Sequence, residues 1–234
     1  MFLIIKKRVL YVILLISVLI FTFGSSILIT RVHNIKNTIN NQPEYTILIE
    51  IDEKKLYLSK DGQLIKKYPI ASGMRNMPSP IGTWKIKDKG KWGKDFGGYW
   101  MGLDVPWGTY GIHGTTREES IGRAASHGCI RMFNKDIREL YNIVPLDTLV
   151  IISNGPFGPF GKGFRNLKPG DRGADVLAVQ ERLKKLRYFE GNASGIYGED
   201  LKNAVHRFQA DKNLEVKNTI TREDYDAMGF IEFE

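Results

Sequence analysis

The chain has 234 residues, 42% of them apolar, with 34 Lys and Arg against 26 Asp and Glu for a net charge of +8. That length accommodates one or two domains, and the apolar fraction is enough for packed cores, which excludes wholesale disorder. One cysteine, Cys129, excludes a disulfide scaffold. The last 204 residues carry +5, with no run of five like charges and no nucleic-acid motif. Such a mildly basic body suits an anionic polymer or surface rather than DNA or RNA.

The chain opens on Lys6, Lys7 and Arg8, followed by 21 uncharged residues from Val9 to Ile29. As a helix at about 1.5 Å per residue, this stretch reaches roughly 31 Å, the thickness of a bilayer core. A signal peptide has a shorter apolar run ending in a small-x-small site, whereas Gly24-Ser25-Ser26 is followed by Ile27 and Leu28. A buried core helix would show a polar face, and none is present. The expectation is therefore a cytoplasmic tail over 1–8 and one retained transmembrane signal anchor over 9–29. The body then lies on the extracytoplasmic side of the membrane. One span makes a tether, not a channel.

Residues 30–44, polar and closed by Pro43, read as a spacer. From Thr46 onward, β-branched and aromatic runs predict strands near 46–51, 56–59, 64–70, 83–88, 98–105, 110–114, 126–132 and 148–153. Asp61-Gly62 marks a hairpin turn. A single helix is expected over 135–142, with Asn134 as its N-cap. Strands joined by short turns predict a mainly β domain over 45–153, a sandwich or barrel. Residues 154–163 hold four glycines and two prolines, the composition of a linker.

Beyond the linker the apolar period becomes helical. Val176, Val179, Leu183 and Leu186 form one stripe; Leu201, Ala204, Val205 and Phe208 form a second. Thr221 with Asp224 predicts a capping box opening a third helix. A small all-α domain is expected over 164–231.

An unpaired cysteine outside the cytosol is either incidental or a working thiol. Cys129 lies in Ser126-His127-Gly128-Cys129-Ile130-Arg131. A thiol attacks carbonyls as thiolate, so it needs a base or a cation close by. His127 and His113 are both candidates, and Gly128 would let backbone N–H groups approach an oxyanion. Taken singly, the cysteine reads better as a small buried hydrophobe. A metal site of Cys129, His113 and His127 lacks the ligand spacings of zinc sites.

Ile112-His113-Gly114-Thr115 and Ser126-His127-Gly128-Cys129-Ile130-Arg131-Met132 together resemble the active-site signature of L,D-transpeptidase catalytic domains. Ile51-Asp52-Glu53-Lys54-Lys55-Leu56-Tyr57-Leu58, Tyr68-Pro69-Ile70-Ala71-Ser72-Gly73 and Pro78-Ser79-Pro80-Ile81-Gly82-Thr83-Trp84 extend the likeness over about 46–153. Where many members carry Asn, this chain carries Arg131, a residue that also occurs there in the family. The resemblance implies Cys129 as nucleophile, His113 as base and the Gly114 carbonyl as the group that orients the imidazole. It implies a thiol kept ionised by that imidazole. It places Ser126, His127 and Gly128 on the substrate side, with the Cys129 N–H in the oxyanion hole; Arg131, two residues past Cys129 on the same strand face, is placed to meet a substrate carboxylate or equally to hold the strand by a salt bridge.

In the aromatic stretch 90–110, Trp107 and Tyr110 are expected in the cleft and the remaining aromatics in packing. The reaction implied is attack on the third residue of a peptidoglycan tetrapeptide stem, loss of the terminal D-Ala, and capture of the thioester by an amine of a second stem. The product is a 3→3 cross-link, and the site is one that a carbapenem would acylate. With water as acceptor the same site would be an L,D-carboxypeptidase; with an idle thiol, the protein would only bind wall polymer. No cofactor or metal is implied. Leu167-Lys168-Pro169-Gly170-Asp171, Gly195-Ile196-Tyr197-Gly198 and Ala204-Val205-His206-Arg207-Phe208-Gln209 resemble the three-helix peptidoglycan-binding domain of wall hydrolases. The partners implied are donor and acceptor stems, the wall and one membrane, with no nucleic acid.

Overall fold

The computed structural model describes residues 44–230. The tail at 1–8, the anchor at 9–29, residues 30–43 of the spacer and residue 231 lie outside the described residues. Among those described, no helix is long and apolar enough to cross a membrane.

Ten strands and one helix build the first part of the chain. They are β1 (Tyr45–Glu50), β2 (Lys55–Lys60), β3 (Gln63–Pro69), β4 (Ser72–Gly73), β5 (Gly82–Gly90), β6 (Trp100–Leu103), β7 (Tyr110–His113), β8 (Ala124–Ser126), β9 (Ile130–Arg131), α1 (Asn134–Ile143) and β10 (Leu149–Ser153). Side chains on a strand alternate between faces, so β1 buries Ile47 and Ile49, β2 Leu56 and Leu58, and β10 Val150 and Ile152. A slip of one residue would turn each of these pairs toward water, which fixes the register. Between β2 and β3, Asp61 and Gly62 both adopt positive φ, the turn that matches strand twist in a two-residue hairpin.

The sheet order is β3-β2-β1-β10-β5-β6-β7-β9, with β4 and β8 forming a separate parallel pair. β5 serves two halves. Gly82–Lys85 pair with β10, whereas Ile86–Gly90 pair with β6 across a bulge. A strand that switches partners in this way turns the corner between two sheets. Both halves and Ile137 and Leu140 of α1 contribute to one core.

Three expectations shift. The strand expected over 98–105 is limited to Trp100–Leu103, because Gly97 and Gly98 take positive φ in the preceding turn and Pro106 has no N–H to pair. The strand expected over 126–132 is broken in two: β8 ends at Ser126, Gly128 takes φ +117°, and pairing resumes at Ile130. Asn134 is the first helical residue rather than the N-cap, which is Phe133. Its side-chain oxygen accepts a hydrogen bond from the Thr115 N–H at 2.9 Å instead.

The second part contains α2 (Ala174–Lys185), α3 (Glu199–Asp211) and α4 (Arg222–Ala227). Both apolar stripes fall in its core, with Leu186 at the margin. Asp224 receives the Thr221 N–H and hydroxyl, completing the capping box. The glycine- and proline-rich stretch is folded: Gly158–Phe160 form a 3₁₀ turn and Phe160 packs on Phe164 at 4.5 Å and Tyr225 at 5.6 Å.

The helical part meets the sheet directly. Ala174 and Leu177 join the first core, and Gly195 faces the indole of Trp107. At φ +68° Gly195 is in a conformation that favours glycine, and a Cβ there would stand 2.3 Å from the ring. Gly195→Val is therefore expected to lower stability by at least about 1–3 kcal/mol, measured as a fall in the urea midpoint. Gly198→Val, where the added Cβ meets nothing within 4 Å, should cost clearly less.

Candidate active site

The reactive residues are assembled by the shortest pairing in the sheet. β7 and β9 run parallel with Ile112 opposite Ile130 and His113 opposite Arg131. Continuing that register puts Cys129 beside Gly111, two residues before His113 on the same face. The Met132 N–H donates to the His113 carbonyl at 2.9 Å and locks the far end. On its other side β9 exchanges two backbone hydrogen bonds with Ala71, both 2.9 Å.

The turn between β8 and β9 shapes the approach to Cys129. The Ser126 hydroxyl accepts the Gly128 N–H at 3.0 Å and donates to the Cys129 carbonyl at 2.5 Å, so one side chain closes the loop from both ends. Gly128 lies under the Tyr110 ring, where a Cβ would come within 2.7 Å, and its positive φ excludes other residues without strain. The Gly128 N–H is thereby engaged within the turn.

His113 is 6% exposed. Its Nδ1 and the Gly114 carbonyl are 2.5 Å apart, a contact that requires the proton on Nδ1 and leaves Nε2 with its lone pair. Phe96 presents its edge to the imidazole at 4.9 Å, and Trp100 lies beyond at 5.8 Å. Trp92 stacks on Trp100 at 4.3 Å. Asn134 supports the Gly114 corner: its Thr115 bond fixes the turn, and a Cβ on Gly97 or Gly114 would strike its oxygen.

Burial dominates the electrostatics. It draws the His113 pKa down to about 4, against the bond to Gly114 and together with the Arg131 charge. Burial also raises the Cys129 thiol, opposed by a backbone hydrogen bond from Gly111 and by Arg131. Burial thus favours the neutral form of both the Cys129 thiol and the His113 imidazole, against the expectation of a thiol kept ionised. Two desolvated groups hold charge poorly, and one guanidinium does not offset that cost.

A cavity of about 320 Å³ is lined by His113, Ser126, His127, Cys129 and Arg131, all expected at the site. Asp95, Phe96, Thr115, Thr116 and Arg117 line it too and were missed. The threonines and Arg117 directly follow His113-Gly114, and that adjacency was the available signal. Asp95 and Phe96 arrive on a turn with no pattern of its own. Trp107 and Tyr110 are not in this cavity. Trp107 is 5% exposed, edge-on to Trp84 at 5.1 Å, and with Tyr110 it borders a second, larger groove.

The L,D-transpeptidase catalytic-domain family matches residues 44–152, and a peptidoglycan-binding domain family matches 172–217. The Bacillus licheniformis protein YkuD, assigned to the L,D-transpeptidases, is 40% identical over 131 residues, covering 56% of this chain and 75% of the relative. The chain belongs to the L,D-transpeptidase family. YkuD of Bacillus subtilis is 44% identical over 110 residues, 47% of this chain and 66%, just under two thirds, of that protein. YqjB of the same organism, another relative assigned to the L,D-transpeptidases, is 30% identical, covering 46% of this chain and 70% of its own length.

Two measurements check the neutral pair. Ultraviolet thiolate absorbance of the L,D-transpeptidase should be missing at pH 7 and appear only above the ordinary thiol range. For His113, the unfolded ring near 6.5 takes up its proton before the folded ring near 4 does. Stability should therefore fall as pH drops from about 6.5 to 4, by at most about 1.4 kcal/mol per unit from this residue. Urea midpoints across that window should decline less steeply in His113→Gln.

Proposed function

We propose that the protein is a peptidoglycan L,D-transpeptidase working through a Cys129 thioester. The observation that carries this reading is the Cys129–His113 cavity, in which the Gly114 carbonyl holds Nδ1 and frees Nε2 to take the thiol proton. The third member of the triad is thus a main-chain oxygen, which orients the ring without adding a buried negative charge.

In this reading the Cys129 sulfur attacks the carbonyl of the third residue of a tetrapeptide stem as its proton moves to His113. The developing oxyanion is received by the Cys129 N–H, since that of Gly128 is already engaged by Ser126. Collapse breaks the peptide bond, and His113 returns the proton to the departing D-Ala amine. Arg131, donating to the Ala125 carbonyl at 3.3 Å while lining the cavity, supplies positive charge for a substrate carboxylate. Exposed His127 stands at the entrance. An amine of a second stem then takes the acyl group, giving a 3→3 cross-link; water in its place gives the carboxypeptidase reaction. Residues 164–231 would grip the wall and 9–29 would tether the chain to the membrane, with the body outside.

Incubation of the full chain in detergent with a carbapenem should add the drug mass to the peptide containing Cys129. His113→Gln should slow that acylation by about 10²–10⁴-fold. Tetrapeptide stems should yield cross-linked dimers, and Cys129→Ala should yield none. A folded protein that shows no mass increment and releases no D-Ala would overturn the proposal; release of D-Ala without dimers would assign the carboxypeptidase reaction.

A further inference from the structure

The second groove has no role in the reaction as described so far. It encloses about 770 Å³ between the sheet and the helical part, within the size range of ligand sites. Its walls come from the 75–81 loop, Trp107 and Tyr110 on one side, and from 159–163 and the 170–175 loop on the other. It also shares His127 with the smaller Cys129 cavity, so the two spaces adjoin at the nucleophile.

The charge of the groove is unbalanced. Four cations, Arg75, Lys162, Arg165 and Arg172, line it against two acids, Asp171 and Asp175. Arg165 is already committed to both acids, at 2.6 Å to Asp175 and 3.3 Å to Asp171, and Lys162 pairs with Asp52 at 2.7 Å. Arg75 and Arg172 are exposed and form no ion pair among the described residues. The Arg172 loop is held in place from behind. The Gly173 N–H donates to the Gly195 carbonyl at 2.9 Å, Gln180 receives the Gly195 N–H at 2.7 Å, and Gly195 abuts Trp107. Two unpaired guanidiniums on opposite walls of a preformed groove match a ligand carrying carboxylates and an extended backbone.

We propose that this groove binds the acceptor stem peptide, with Arg172 and Arg75 holding its carboxylates, so that the helical part forms one wall of the acceptor site. The inference rests on the transpeptidase reading above and deepens it. The donor stem occupies the Cys129 cavity, and the acceptor amine arrives from the His127 side. Its nitrogen bonds to the thioester carbon as the C–S bond breaks. The proton it sheds passes through the His113 imidazole to the sulfur, restoring the thiol.

The test uses the full chain, a tetrapeptide stem as donor and a tripeptide stem as acceptor, which lacks the fourth residue and cannot itself be a donor. Arg172→Ala and Arg75→Ala should each raise the acceptor concentration for half-maximal cross-linking by tenfold or more. The double variant should shift product from dimer to hydrolysed tripeptide, with donor consumption and carbapenem acylation of Cys129 continuing. Dimers at the wild-type ratio in the double variant would overturn the proposal. So would acylation slowed in parallel with cross-linking, which would put the groove on the donor path. A requirement for the two arginines only with acceptors attached to glycan strands would replace the peptide by a saccharide and equally overturn it. Failure of the wild-type chain to form any acyl-enzyme would instead remove the underlying reaction.

Discussion

The active cavity depends on two residue pairs. Among the described residues, the parallel contact of Ile112 with Ile130 and of His113 with Arg131 is the ladder that joins the strand of His113 to the strand following Cys129. A parallel pair this short has little stability of its own. It persists because Ile112 and Ile130 are fully buried and because flanking bonds from Met132 and Ala71 hold β9 on both sides. The geometry of the thiol and imidazole is thus imposed by the core, through residues that do no chemistry.

The same core sets the proton arrangement. Phe96 and Trp100 exclude water from the imidazole, and the Gly114 carbonyl gives it a partner without charge. A carboxylate in that position would favour imidazolium and draw the pair toward an ionised resting state. A carbonyl orients the ring without adding that charge. Burial that disfavours the Cys129 thiolate also makes the sulfur less prone to oxidation, which follows thiolate character.

Much of this could be read from residue order. Runs of β-branched and aromatic residues located most of the strands, the Asp61-Gly62 dipeptide the hairpin turn, and apolar spacings of three to four residues the two helical stripes, because burial on one face leaves its mark on the sequence. The joint occurrence of His113-Gly114 and Ser126-His127-Gly128-Cys129 pointed to residues that the fold brings to one cavity, His113, Ser126, His127 and Cys129. What escaped was everything set by long-range contact. Asn134 had the composition of a helix cap, but Thr115 presents its N–H to it from across the fold. Phe96 sits in a glycine-rich turn with no periodicity, and only the folded chain turns its edge to His113. The change of partner along β5 leaves no local trace, since Ile86 reads as an ordinary strand residue. Trp107 lines the second groove rather than the Cys129 cavity, and its contact with Gly195 of the helical part had no local signal.

The corner in β5 has a bearing on how such a chain can vary. Its first four residues are registered against the half-sheet that carries the N-terminal hairpins, and its last five against the half that carries the reactive strands. Adding or deleting one residue at the bulge would leave each half intact but slide one past the other, moving the whole catalytic edge relative to its support. Length changes are absorbed without that penalty in the turn between β5 and β6, where residues 91–95 are exposed. The length of the corner strand is therefore the more tightly constrained of the two.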